Sequence, residues 1–174
     1  FILTICRWVT INRTSKIHMF FFLERVNDDI FIKDLTVQDV ITIRKRARYS
    51  EVDRMGFVYY GRYLAWFEEA RVEWMRARGI VYKDLEDAGI YLPVAHVRCD
   101  YHRPVEYDQE ADVQTWVSSC ASRRVVFDNR VTVEGKKAVS ASITLICMGE
   151  DRKIKVLPDP ILDILKKSCQ LCTK

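Results

Sequence analysis

The chain has 174 residues, 49% of them hydrophobic and 11% aromatic, which suits one globular domain with enough core to fold unaided and excludes bulk disorder. Its formal net charge of +4 is too mild to argue for nucleic acid, although it suits an anionic ligand. Six cysteines, at 6, 99, 120, 147, 169 and 172, are few for a disulfide scaffold, and Cys99, Cys120 and Cys147 read as small core or half-buried residues of a reducing compartment. Cys169 and Cys172 form a C-x-x-C without a second pair, which makes a poor zinc site, so no metal is expected.

Residues 1–23 carry Arg7, Arg13 and Lys16 but no acidic side chain, a break from everything downstream. Charge interrupts the segment too often for a membrane span, which needs about 20 apolar residues. A basic, acid-free leader is one reading, an organellar transit peptide; translation starting at Met19 or beyond is the other. Without a leader the expected compartment is the cytoplasm. Residues 1–37 are therefore set apart as an N-terminal extension holding a short strand at 30–32. The folded domain is expected over 38–167, with 168–174 as a tail.

From Val40 the pattern turns strand-like, Ile41, Ile43 and Ala47 alternating with Thr42, Arg44, Arg46 and Arg48. The three arginines share one face, either as the solvated side of a strand or as a phosphate contact. Residues 63–78 hold no Gly or Pro, and Tyr63, Phe67, Ala70, Trp74 and Ala77 recur at spacings of three and four. Leu64, Trp66, Val72 and Met75 widen that stripe, so this long helix wants a concave partner. Gly79 is placed to stop it. A small helix is expected at 82–88, then strands at 92–102, 108–119, 123–134 and 138–148. Continuously small or apolar, the last of these reads as a central strand buried on both sides. A short helix at 161–167 closes the chain. The order is strand, long helix, then four strands in a meander, an α+β arrangement whose sheet of about five strands supplies the concave surface.

Gly-x-Gly-x-x-Gly, Walker, His-Glu-x-x-His and Gly-x-Ser-x-Gly motifs are all absent, which removes the parts for nucleotide hydrolysis, dinucleotide chemistry and serine hydrolysis. His96 and His102 have no companion Cys, Ser or acid at triad spacing and read as surface residues. What remains is Asp53, ahead of a helix start near Tyr60 and Gly61. On the residues alone Asp53 is either a turn or cap residue, or one half of a minimal acyl-transfer centre. In the second case its carboxylate attacks or activates water, while unpaired N–H groups at the helix start hold the oxyanion, an effect of about 3 kcal/mol per donor. Glu68 and Glu51 are rival carboxylates, ranked behind Asp53 in that order.

The run Asp-x-x-Gly-x-Val-x-x-x-x-Tyr from Asp53 to Tyr63, followed by Glu-Ala-Arg within a long helix, resembles the signature of the 4-hydroxybenzoyl-CoA thioesterase family of hot-dog proteins. The likeness covers residues 38–165. It implies one helix wrapped by a curved antiparallel sheet, and an acyl-CoA thioesterase needing no cofactor. It implies Asp53 as the catalytic acid residue and the amides near Tyr60 and Gly61 as the carbonyl-polarising donors. Gly56, Val58, Tyr59 and Trp66 would then line the substrate site, and Arg123 and Arg124 would hold the coenzyme A phosphates. Some relatives have His where this chain has Tyr60, which leaves the subclass open. Relatives place the acyl site between two chains, so a homodimer or homotetramer is implied, with Tyr59, Tyr60, Trp66 and Trp116 as exposed interface or pocket aromatics. Two other readings stand beside it: a thioesterase for acidic acyl carrier protein, which the Arg44, Arg46 and Arg48 stripe would suit, and a non-catalytic module that binds acyl-CoA.

Overall fold

The computed structural model describes residues 25, 26, 29, 30 and 40–171, with side chains over 40–169. Expectations for residues 1–23 and for Cys172 lie outside the described residues. The chain divides into two compact units, Phe1–Thr36 and Val37–Lys174. In the first, β1 (Arg25–Val26) pairs antiparallel with β2 (Asp29–Ile30); Ile30 begins the strand expected at 30–32, and residues 31 and 32 lie outside the described residues.

The second unit holds the five-stranded sheet and three helices. β3 (Ile41–Arg46) is followed by a 3-10 turn at Tyr49–Glu51 and by α1 (Arg62–Arg76). Next come α2 (Tyr82–Asp87), β4 (Ile90–Tyr91) and β5 (Val94–Tyr101). The long strands β6 (Glu110–Ala121), β7 (Arg124–Val133) and β8 (Lys136–Ile146) follow, then β9 (Met148–Gly149) and α3 (Asp159–Leu171). The last helix continues past Lys167, where the tail was expected to begin.

The sheet is antiparallel throughout, in the order β3-β6-β7-β8-β5. Only β6, β7 and β8 form a meander. The strand after the long helix, β5, lies at the far edge beside β8, and β3 pairs with β6 instead, Ile41 opposite Thr115 and Arg46 opposite Glu110. The expected four-strand meander is corrected on this point. Alternation identifies a strand but says nothing about its neighbour, and the segment after β5 crosses the sheet end before β6 begins. That crossing is stitched down by Val58 N–H to the Val105 carbonyl (2.8 Å), Tyr107 N–H to Gly56 (3.2 Å) and Ala47 N–H to Gln109 (3.0 Å).

α1 packs against β3 and β6 with Tyr63, Trp66, Phe67, Ala70, Trp74 and Met75 buried, while Leu64 and Ala77 from the expected stripe face outward. Val113, Val117, Val125, Phe127, Val131, Val139, Ile143 and Leu145 supply the sheet's side of the core. Trp74 meets Phe127 edge to face at 5.3 Å between ring centroids. The helix ends in a Schellman motif: Gly79, at φ 75°, donates to Arg76, and Ile80 donates to Met75 and is buried. β8 is not buried on both sides. Val139, Ala141, Ile143 and Leu145 face the core, whereas Ser140, Ser142 and Thr144 are half-buried on the opposite face. The hydroxyl at every second position, not an unbroken apolar run, was the informative feature. α3 covers β6 with Ile161, Leu162 and Leu165, and the Cys169 thiol donates to the Ser118 carbonyl at 3.3 Å.

Candidate active site

Between the 3-10 turn and α1 the chain doubles back on itself. Val52 and Val58 form an antiparallel bridge, the Asp53 N–H donates to Phe57 (2.9 Å), and the Gly56 N–H donates to Asp53 (3.0 Å). Gly56 sits at φ 81°, a left-handed conformation that a side chain would strain. That is the physical reason for a glycine three residues after the aspartate. Asp53 is half-buried, and its Oδ1 accepts the Met55 N–H at 2.8 Å. The turn role expected as one alternative on sequence alone is therefore present: one oxygen closes the turn, and the other is left without a described partner. Val58, buried, ties the loop to Val105.

α1 starts directly after this loop with Gly61 as its N-cap. Arg62 N–H donates to Tyr59 and Leu64 N–H to Gly61, but among the described residues neither the Tyr60 nor the Gly61 N–H donates to a backbone carbonyl. Two donors are thus left at the positive end of a helix of 15 residues. The Tyr59 and Tyr60 rings lie 4.3 Å apart, both exposed. A hydrogen bond with the Tyr60 hydroxyl, then desolvation and the charges of Tyr60 and Asp53, hold the Tyr59 phenol above its ordinary pKa. The Asp53 carboxylate is therefore near enough to be felt at Tyr59. Gly61 permits this crowding, since a Cβ there would meet the Tyr59 ring at 3.3 Å.

The rival carboxylates are placed otherwise. Glu51 accepts the Trp66 indole N–H on Oε1 (2.8 Å) and the Arg48 N–H on Oε2 (2.9 Å). Desolvation pushes its pKa up, but the hydrogen bonds from Arg48 and Trp66, with the charges of Arg48 and Lys45, outweigh it and the pKa is lowered. Both oxygens are thus used to hold the helix to the loop. Glu68 lies on the outward face of α1, in a shallow groove with Ala65, Glu69 and Val72. Trp66, expected as an exposed pocket aromatic, is corrected: it is 1% exposed and belongs to the core. Its place between Tyr63 and Phe67 puts it on the inward flank of the helix, and its indole has Glu51 for a partner.

A sequence profile described as the thioesterase-like superfamily matches residues 47–165, which spans the loop, the helix and the sheet. The chain belongs to that superfamily. Among its relatives is the acyl-CoA thioester hydrolase YbgC of Escherichia coli O6:H1, 27% identical over 70% of this chain and 92% of that one. Among solved structures, the DHNA-CoA thioesterase of Staphylococcus aureus is 31% identical, with a TM-score of 0.69 over 77% of this chain and 93% of that one. The Thermus thermophilus protein TT1821 is 26% identical, with a TM-score of 0.69 over 74% and 96%. The fold is the hot-dog fold, and the superfamily's chemistry is thioester hydrolysis.

Other expected members of this thioesterase-like site lie apart from it within one chain. Arg123 and Arg124 are exposed at the β6–β7 hairpin, while Asp53 lies beside the opposite end of β6. The length of β6 separates them, the steps between its 12 residues spanning about 36 Å at ~3.3 Å each. Arg44 pairs with Asp112 (3.2 Å), Arg46 with Asp108 (3.3 Å) and Glu110 (2.6 Å), and Lys45 with Glu69 (2.6 Å). The arginine face of β3 is largely neutralised by its own sheet. Residues Arg44 to Tyr49, with Tyr107 and Asp108, line a cleft of about 390 Å³ there. Trp116 is half-buried, with the Arg130 guanidinium 5.6 Å over its ring. His102 shares a 2.8 Å hydrogen bond with Ser140 at the exposed surface. No cluster of three His, Cys, Asp or Glu suited to a metal occurs among the described residues, and no described helix is long and apolar enough to cross a membrane.

Sequence reasoning missed Tyr101. The last residue of β5, it donates its hydroxyl proton to the Tyr60 carbonyl at 3.1 Å and lies 5.8 Å from the Tyr63 ring. Nothing in the strand pattern marks it, because the contact joins positions 41 residues apart.

Proposed function

We propose that the protein hydrolyses acyl-CoA thioesters, with Asp53 as nucleophile or general base and the Tyr60 and Gly61 amides as oxyanion donors. The observation that carries this reading is the pairing of a carboxylate fixed by the Met55 N–H with two helix-start amides that have no backbone acceptor among the described residues. As nucleophile, an Asp53 oxygen adds to the thioester carbon and the C–S bond breaks. The CoA thiolate departs, and water opens the resulting anhydride to free acid and carboxylate. As base, Asp53 takes a proton from the water that adds. In either route the negative charge gathers on the thioester oxygen, where fixed N–H donors stabilise it. A thiolate leaves without acid assistance, so no histidine is required.

Gly56 and Val58 shape the loop, and Tyr59 and Tyr60 stand over the donors as the acyl-facing aromatics. Arg123 and Arg124 reach this site only from a second chain, which supports a homodimer whose partner contributes the phosphate contacts; pairing of two dimers would give a tetramer. An edge strand, β5, exposed along nearly all its length is available for such pairing. The carrier-protein alternative is less favoured, because Arg44 and Arg46, two of the three arginines it calls on, are already in ion pairs with Asp112, Asp108 and Glu110.

The test is thiol release from short, long and aromatic acyl-CoA esters by the parent and by Asp53→Asn. Asparagine keeps an oxygen for the Met55 N–H, so the loop survives while the charge is lost. Turnover by the parent and a fall of about 10³-fold or more in the variant are expected, the scale of losing an essential nucleophile or base. Equal turnover by both forms would refute the role of Asp53.

A further inference from the structure

Tyr101 stands outside the mechanism above yet touches its donors from behind. The Tyr60 carbonyl that accepts its hydroxyl proton belongs to the same peptide unit as the Gly61 N–H. No peptide bond in the described chain is cis, so this unit is planar and trans, and its C=O and N–H point in opposite directions. Anchoring one end therefore fixes the aim of the other. Drawing electron density toward the carbonyl oxygen also polarises the unit and makes its N–H a stronger donor.

We infer that Tyr101 is a positioning residue for the reaction, its hydroxyl holding the Tyr60–Gly61 peptide so that the Gly61 N–H is fixed in direction on the side away from β5. This rests on the reading of Gly61 as an oxyanion donor. Three features favour a purposeful anchor over a chance contact. Tyr101 ends a strand whose register against β8 is fixed, with Cys99 opposite Ala141 and Tyr101 opposite Val139. Its ring is held against buried Tyr63. Burial and the neighbouring Cys99 thiol keep its phenol protonated far above neutral pH, so the donor is present throughout the working range.

The anchor comes from the sheet edge, whereas the peptide it holds lies just ahead of α1. Without it, the Tyr60–Gly61 unit sits in a turn where only its neighbours restrain rotation. An oxyanion donor that turns away contributes less when charge develops but leaves ground-state binding intact. Removing the anchor should therefore lower kcat and spare KM.

The experiment compares parent, Tyr101→Phe and Asp53→Asn on the best ester of the panel. Phenylalanine keeps the ring contact with Tyr63 and deletes only the hydroxyl. The expected result for Tyr101→Phe is a fall of about tenfold in kcat, a fraction of the ~10²–10³ lost when a whole oxyanion donor is removed. KM stays within about twofold and Tm within about 2 °C, because a half-exposed hydrogen bond contributes little to stability. Unchanged kcat in Tyr101→Phe beside an inactive Asp53→Asn overturns the positioning role and leaves the thioesterase reading standing. A rise in KM or a large fall in Tm with kcat unchanged shows a packing role and also overturns it. Full activity in Asp53→Asn overturns the catalytic reading, and the inference falls with it.

Discussion

Replacing Glu51 with alanine tests how the loop is held to the helix. The change removes the acceptor of the Trp66 indole N–H and of the Arg48 N–H. Trp66 is 1% exposed, so its N–H would stay buried without a partner, at a cost of about 1–3 kcal/mol. Arg48 is exposed and its N–H regains water, adding a few tenths at most. Glu51 is itself half-buried, so solvent screening keeps the total near the middle of that range, about 2 kcal/mol. For a folded unit of this size the unfolding entropy is ~0.3 kcal/mol/K, which converts the loss to a Tm about 7 °C lower. Thermal unfolding at pH 7 and fixed protein concentration measures it. Glu51→Gln keeps an oxygen for Trp66 and should lose roughly half as much.

The pH dependence gives a second reading of the same bond. The folded-state pKa of Glu51 lies below its ordinary 4.5, so over the window between them the unfolded chain binds more protons. Its stabilisation is full above that ordinary value and is lost as pH falls through the folded pKa. The gap between parent and Glu51→Gln should therefore close on acidification. A Tm for Glu51→Ala within 2 °C of the parent, or a gap that widens toward acid, would refute the argument.

Tyr63 is a second titration probe: burial, with Cys99 nearby, outweighs a hydrogen bond from Val105 and pushes its phenol from 10.0 up to about 12. A raised pKa means the folded state holds the proton longer, so this stability is full below pH 10 and is lost as pH rises toward 12. Tyr59, Tyr82 and Tyr101 are raised as well, so ultraviolet phenolate titration should show one fewer late tyrosine in Tyr63→Phe than in the parent; the same number in both forms would count against it. Phe127→Ala removes a fully buried ring packed edge to face against Trp74 and should cost about 3–5 kcal/mol, read as a fall of more than 10 °C in Tm. A loss under 1 kcal/mol would mean that α1 does not rest on β7 at this point.

The elements most readable in the sequence were those whose signal is local. Spacings of three and four between Tyr63 and Trp74 marked α1, and Gly79 marked its end because only a left-handed residue closes a Schellman motif there. Asp53 and Gly56 marked the loop for a similar reason, one supplying a side-chain acceptor and the other a positive φ. What was not readable depended on partners distant in sequence. Alternation in β5 said that it was a strand, not that it would lie beside β8. Trp66 looked like a pocket residue because its acceptor, Glu51, lies 15 positions away. Arg123 and Arg124 share a chemistry with the site but not an end of the sheet, and distance along a strand is invisible until its register is known. Around the loop, Asp53 and the helix start at Gly61 were legible as local features; the contact of Tyr101 with the Tyr60 carbonyl was not.

The order in which the chain leaves the ribosome follows from the sheet's connectivity. α1 is complete at Arg76, yet the sheet that carries its partner strand β6 is complete only at Ile146, about 70 residues later. At ~5–20 residues per second that interval is roughly 4–14 s. Throughout it Trp66, Phe67, Trp74 and Met75 have no complete sheet to lie on. The nascent chain is therefore stickiest in the middle of its synthesis. Variants that slow pairing of β6, β7 and β8 should reduce soluble yield before they reduce the stability of the finished fold. Chains arrested ahead of residue 110 should associate with holding chaperones, and chains arrested well beyond 146 should not.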